Sequence, residues 1–101
     1  MKFTIEKGLK NMKLLMMMFD GCPYCAQARS WMNELCKEDP RYAAVSVKTV
    51  DEHLEPEFAD TLDYYNVPTY FLTDDEGKII RKLHEGAAKK EKIRAVFDAA
   101  L

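Results

Sequence analysis

Two cysteines, Cys22 and Cys25, stand close together in the chain, separated only by Pro23 and Tyr24. An apolar run of strand length, Lys13–Phe19, precedes them, and the segment after them is rich in helix formers, so the pair lies where a strand passes into a helix. Pro23 suits the first helical turn, where its missing N–H costs nothing. Cys22 would then face free amides and the positive end of the helix dipole, which stabilise a thiolate. This pattern predicts thiol–disulfide exchange, with Cys22 as the nucleophile and Cys25 closing a disulfide onto it.

A zinc site is the main alternative chemistry for a cysteine pair. Structural zinc takes four ligands, but only Cys36, His53 and His84 remain, and they form no second pair. We therefore predict no bound metal, and we rank an iron–sulfur cluster bridging two chains through Cys22 well below redox exchange. Cys36 falls three helical turns beyond Cys25, too far for a disulfide, and is predicted to be a buried structural thiol. The two histidines are predicted to be surface or strand-end residues.

The composition favours one small domain spanning residues 1–101. Hydrophobic residues make up 48% of the chain, which suffices for a modest core, and the net charge is −2 with no basic run, so we expect neither nucleic-acid nor membrane binding. The run Leu14–Phe19 is far shorter than the roughly 20 residues that span a bilayer. No signal peptide is evident at the start, and three cysteines fit a reducing compartment, so we expect a cytoplasmic monomer.

Hydrophobic periodicity predicts alternating strands and helices after a short leader strand or turn in residues 1–12. A helix should begin at Glu55-Pro56-Glu57, bury Phe58, Leu62 and Tyr65, and stop at Asn66-Val67-Pro68. Asp51 should be a solvated acid at the end of the second strand. The remaining predicted elements are strands over Lys13–Phe19, Ala43–Val50, Thr69–Thr73 and Lys78–Leu83, and helices over Pro23–Glu38 and Lys89–Ala100, the last with Ile93, Val96, Phe97 and Ala100 facing inward.

This order of elements predicts the fold class. The first strand–helix–strand unit closes as a right-handed crossover with parallel strands, and the turn at Asp74–Gly77 adds an antiparallel hairpin. We therefore expect an α/β fold with a mixed central sheet of about four strands, flanked on both faces by three helices.

From about Lys13 to Leu101 the chain resembles the thioredoxin-like superfamily. The resemblance rests on the dithiol after an apolar strand, on Val67-Pro68-Thr69 before the hairpin, and on the final amphipathic helix. It implies that Cys22 attacks and Cys25 resolves. It also implies that Pro68 is a cis-proline beside the dithiol, and that Val67 offers backbone hydrogen bonds to an extended substrate. Pro23 and Tyr24 would form the rim of the substrate site, although Tyr24 could equally be an exposed neighbour.

Two branches of that superfamily share features with this chain. Cys-Pro-Tyr-Cys is most familiar from glutaredoxins, whereas the C-terminal third, from Val67-Pro68-Thr69 to the final helix, resembles thioredoxins. The Gly-Gly pair and following Asp with which glutaredoxins hold glutathione correspond to Gly86-Ala87-Ala88-Lys89-Lys90, which contains no acid. The buried acid that thioredoxins keep before the dithiol corresponds to Met16.

The expected function is therefore reduction of protein disulfides, with a flavoprotein such as thioredoxin reductase as electron donor. A glutaredoxin-like enzyme using glutathione, and a non-enzymatic adaptor or cluster carrier, are the alternatives. The resemblance implies no cofactor other than the Cys22–Cys25 disulfide. The implied partners are disulfide-containing proteins and a reductase or small thiol.

Overall fold

A computed structural model describes residues 12–101, in which four strands form a single mixed sheet. The strands are β1 (Lys13–Met18), β2 (Val47–Asp51), β3 (Thr69–Thr73) and β4 (Ile79–Glu85). Their order across the sheet is β2-β1-β3-β4, with β1 and β2 parallel and the other two pairings antiparallel. The predicted α/β class and mixed sheet are confirmed. Apart from Met12, the leader predicted for residues 1–12 lies outside the described residues.

The described chain contains four helices, of which two are single turns. They are α1 (Pro23–Glu38), α2 (Pro40–Ala43), α3 (Pro56–Ala59) and α4 (Lys90–Asp98). The long helix α1 has the predicted bounds, and α4 is slightly shorter than predicted. Within residues 12–101, no helix combines the length and apolarity needed to cross a membrane.

The start of β2 was predicted four residues too early. Ala43 belongs to α2, and β2 begins only at Val47. The cause is local, because Asp39 both ends α1 and caps α2, its carboxylate accepting the Arg41 N–H at 2.9 Å. Pro40 then occupies the first turn of α2, where it starts a helix rather than a strand.

The helix predicted after Glu55 is a single turn, and its predicted buried face is wrong at two of three positions. Phe58 is exposed and Tyr65 is 89% exposed, whereas Leu62 does pack against the sheet. The Thr61 hydroxyl donates to the Phe58 carbonyl at 2.6 Å, one of the local side-chain bonds that compete with helix continuation.

The core has two parts because the side chains of β1 alternate between the two faces of the sheet. One face carries Leu14, Met16 and Met18 and packs against α1 and α4. The other face carries Leu15 and Met17 and packs against the segment around Ala59 and Leu62. All four residues predicted to face inward from the last helix are buried: Ile93, Val96, Phe97 and Ala100. The dithiol therefore begins a helix that is held to the sheet along its length.

Candidate active site

Cys22 is the N-cap residue of α1, as its position before Pro23 predicted. Its backbone is extended, with φ −76° and ψ 116°, and Pro23 occupies the first turn. The Cys22 Sγ atom accepts a hydrogen bond from the Cys25 N–H at 3.2 Å, and the Cys22 carbonyl accepts from the Ala26 N–H at 3.1 Å. An amide that no helical carbonyl uses therefore points at the sulfur, as thiolate stabilisation requires.

Both cysteines are free thiols at the base of a shallow cleft of about 210 Å³. Cys22 is 5% exposed and Cys25 is 2% exposed. The rim of the cleft includes Pro23, Phe19 and Arg29. Both cysteines therefore line the cleft, with Cys25 one helical turn further along α1.

Burial raises the pKa of the Cys25 thiol from its ordinary 9.0 to about 12. The hydrogen bond and the negative charge of Cys22 push it further in the same direction. A backbone hydrogen bond from Phe19 and the positive charge of Arg29 oppose this rise without cancelling it. At neutral pH the Cys25 thiol therefore holds its proton.

Asp51, at the end of β2, ties together two loops beside the dithiol. Its carboxylate accepts the Asp20 N–H at 3.0 Å and the His53 N–H at 2.8 Å. Partial burial raises the pKa of Asp51, but these backbone donors outweigh it and hold the pKa below its ordinary value. Asp51 was predicted to be a solvated strand-end acid, and the sequence gives no sign of this pairing because Asp20 and Asp51 lie on different elements.

The Val67–Pro68 peptide bond is cis, as the family resemblance implied. In the antiparallel register of β1 and β3, Met17 pairs with Thr69, which places Pro68 beside Met18 at the end of the sheet where β1 leads into the dithiol loop. Val67 packs against the core cluster that contains both cysteines. Its N–H and C=O make no hydrogen bond to any residue between 12 and 101.

Glu85 fixes the turn that leads into Val67. One of its carboxylate oxygens accepts the Tyr65 N–H at 2.7 Å and the Asn66 N–H at 2.9 Å, and the other accepts the Lys82 ammonium at 2.7 Å. The hydrogen bond from Lys82 is the main reason that the pKa of Glu85 falls to about 2. The Tyr65 and Asn66 amides, at the end of the helix predicted after Glu55, therefore bond to Glu85 rather than to helical carbonyls. No local sequence pattern predicts this contact between Glu85 and the turn before Val67.

Tyr24, His53 and Cys36 are the other candidate residues named by the sequence. Tyr24 is 61% exposed beside it, and His53 stacks on Phe19 with ring centroids 4.7 Å apart. Cys36 was predicted to be buried but is only half-buried, although it does pack against the core. In the described part of the chain, no group of three or more histidine, cysteine or acidic side chains is arranged to hold a metal ion.

Comparison with known proteins identifies the family. The sequence matches the thioredoxin-like domain family over residues 1–101. No curated protein matches the chain.

Among solved structures, the fold is similar to Fasciola hepatica thioredoxin, with 21% identity, a TM-score of 0.69, and coverage of 96% of this chain and 88% of the other. It is also similar to the germline-specific thioredoxin Deadhead of Drosophila melanogaster, with 14% identity, a TM-score of 0.71 and the same two coverages. Oxidised thioredoxin from Plasmodium falciparum shows 14% identity and a TM-score of 0.68, covering 91% of this chain and 83% of the other. The chain therefore belongs to the thioredoxin-like domain family.

Proposed function

We propose that this protein is a thiol–disulfide oxidoreductase that reduces protein disulfides through Cys22 and Cys25. The observation that carries the proposal is the Cys22 Sγ atom at the N-cap of α1, with the Cys25 amide donating to it at 3.2 Å. A cleft opens beside this sulfur, and the second thiol lies one helical turn behind it. These are the parts that a two-step exchange needs.

In the first step the Cys22 thiolate attacks one sulfur of a substrate disulfide. A mixed disulfide forms, and the other substrate sulfur leaves as a thiolate that takes a proton from water. In the second step Cys25 loses its proton and attacks the Cys22 Sγ atom. The Cys22–Cys25 disulfide forms, the bond to the substrate breaks, and the second substrate thiol is released. The protein is thereby oxidised by two electrons and the substrate is reduced by two.

A protein substrate would bind across the end of the sheet where β1 leads into the dithiol loop. The N–H and C=O of Val67, unpaired within residues 12–101, suit an extended chain, and Pro68 lies beside Met18 at the same end of the sheet. Pro23 and Tyr24 provide the exposed rim on the other side of Cys22. An extended segment with a disulfide fits this arrangement, because backbone pairing at Val67 sets its register while its sulfur meets Cys22.

The electron donor is proposed to be a flavoprotein reductase rather than glutathione. The segment Gly86–Lys90 contains no acid to bind the amino group of glutathione. Its last residue, Lys90, forms ion pairs with Glu34 and Glu38 of α1. A pure adaptor role fits less well, since two free thiols at a helix N-terminus are not needed for docking alone.

A coupled assay tests the proposal. Insulin disulfides serve as substrate, with either NADPH and a thioredoxin reductase or glutathione and glutathione reductase as the donor system. We expect NADPH consumption in the first system only, and its loss in the Cys22→Ser variant. Cys36→Ser is the matched control and should retain the parent rate. Turnover with glutathione alone would move the protein to the glutaredoxin branch, and turnover in neither system would overturn the enzymatic assignment.

A further inference from the structure

Tyr70 carries a buried hydroxyl that makes no hydrogen bond within the described part of the chain. The side chain is 0% exposed, and its oxygen is the one buried side-chain nitrogen or oxygen without a partner among those of residues 12–101. Buried tyrosine hydroxyls usually find a partner, and leaving one without costs stability. Such a group therefore needs an explanation, and a role in the reaction is one.

The position of Tyr70 points to the dithiol. Tyr70 lies on β3 opposite Met16 of β1, and its side chain belongs to the core cluster that contains Cys22 and Cys25. Burial raises the pKa of Tyr70, and the charges of Cys25 and then Cys22 add to the rise. The hydroxyl therefore remains protonated and can act as a donor.

The resolving step needs such a donor. Cys25 must become a thiolate in a site that burial makes hostile to negative charge. The titratable groups whose charges act on Cys25 are the N-cap residue Cys22, which makes its ionisation harder, and Arg29 of α1, which makes it easier. His84 of β4 stacks on the Tyr70 ring, with centroids 6.4 Å apart, and its Nε2 atom lies 3.3 Å from the Ala87 carbonyl.

We propose that the Tyr70 hydroxyl donates a hydrogen bond to the Cys25 Sγ atom as this sulfur ionises to attack the mixed disulfide. The inference rests on the proposed function and adds one group to its second step. Tyr70 keeps its own proton throughout. The Cys25 proton passes to water, the Cys25–Cys22 bond forms, and the departing substrate thiolate takes up a proton from water. The unsatisfied hydroxyl of the reduced protein is then satisfied during catalysis.

The test separates the two steps with one equivalent of 5,5′-dithiobis(2-nitrobenzoate) in a Cys36→Ser background. The first thionitrobenzoate is released by attack of Cys22, and the second by attack of Cys25 on the mixed disulfide. We expect Tyr70→Phe to leave the first release unchanged and to slow the second by roughly tenfold or more, the usual worth of a hydrogen bond to a charged group. The pH midpoint of the second release should also move upward. Stability should be equal or higher, because the variant removes a buried hydroxyl that has no partner among residues 12–101.

Tyr64→Phe is the matched control. The Tyr64 hydroxyl donates to Glu52 at 2.6 Å, and its ring packs against the other core cluster, so the second release should not change. A Tyr70→Phe protein with the parent rate and pH midpoint would overturn the role of Tyr70 while leaving the proposed function intact. A parent protein that never releases the second thionitrobenzoate would overturn both.

Discussion

Raising the pH from 7 to 9 should accelerate release of a thiol bound to Cys22 by about a hundredfold. Release requires Cys25 to attack as a thiolate, and burial raises the pKa of Cys25 from its ordinary 9.0 to about 12. Below the pKa of a thiol, its thiolate fraction rises tenfold with each pH unit. The rate should therefore climb across this whole range rather than level off near pH 9.

The size of this acceleration follows from the surroundings of Cys25, which set its pKa. A pKa of about 12 leaves roughly one thiolate in a hundred thousand at pH 7, against roughly one in a hundred for an ordinary thiol. In the mixed disulfide, Cys22 has neither a thiol proton nor a charge, so its two contributions to this rise are lost. Burial, which is the largest cause, persists. The midpoint should therefore lie between the ordinary 9.0 and about 12.

The assay is stopped-flow release of thionitrobenzoate from the purified Cys22 mixed disulfide, measured over a series of pH values. Cys25→Ser should abolish the phase and so confirm its assignment. Arg29→Gln should move the midpoint to higher pH, because the positive charge of Arg29 lowers the pKa of Cys25. A rate that reaches its plateau below pH 9, or that ignores the Arg29 charge, would refute the reasoning.

Two further predictions concern the loops beside the dithiol. Gly21 has φ +91°, and within residues 12–101 no heavy atom other than those of Gly21 and its two chain neighbours lies within 4 Å of the place where a Cβ would sit. Backbone strain alone should therefore make Gly21→Ala cost about 1 kcal/mol by chemical denaturation, and it should slow the attack by Cys22. Gly77→Ala, with φ +89° in the distant hairpin, should cost the same but leave activity unchanged. Glu85→Gln should raise KM for insulin severalfold without changing the reaction with a small disulfide, because it loosens the turn before Val67. The pKa of Glu85 is about 2, so hydrogen exchange of the Tyr65 amide should stay protected until the pH falls toward that value.

The dithiol and its helix could be predicted because the determinants are local. The start of α1 is predicted by three adjacent features: an apolar run, a cysteine before Pro23, and good helix formers after it. In the structure, α1 begins at the predicted residue. The cis bond before Pro68 came instead from the family resemblance. The spacing of residues along the chain does not show whether this peptide bond is cis or trans.

The segment after Glu55 shows where local reasoning fails. Phe58, Leu62 and Tyr65 have helical spacing, but the chain leaves the helix after Ala59. At the end of the predicted helix, the Tyr65 and Asn66 amides donate to Glu85, which lies on another strand. Hydrophobic periodicity within one segment does not report such contacts with a distant part of the chain.

The same limit applies to the residues that surround the dithiol. Asp51 accepts the Asp20 N–H next to the parallel pairing of β2 with β1, and Tyr70 joins the core cluster of the two cysteines through the pairing of β3 with β1. Neither residue stands out in its own segment. Their contributions follow from strand pairing, which the sequence predicts in outline but not residue by residue.

The most direct test of the proposed mechanism is to trap the substrate on the attacking sulfur. Cys25→Ser protein would be mixed with insulin, quenched with an alkylating agent and digested without reductant for mass spectrometry. We predict an insulin chain disulfide-linked to the peptide containing Cys22, and no link to Cys36. Linkage through Cys36 alone, or insulin reduction by Cys22→Ser at the parent rate, would contradict the mechanism.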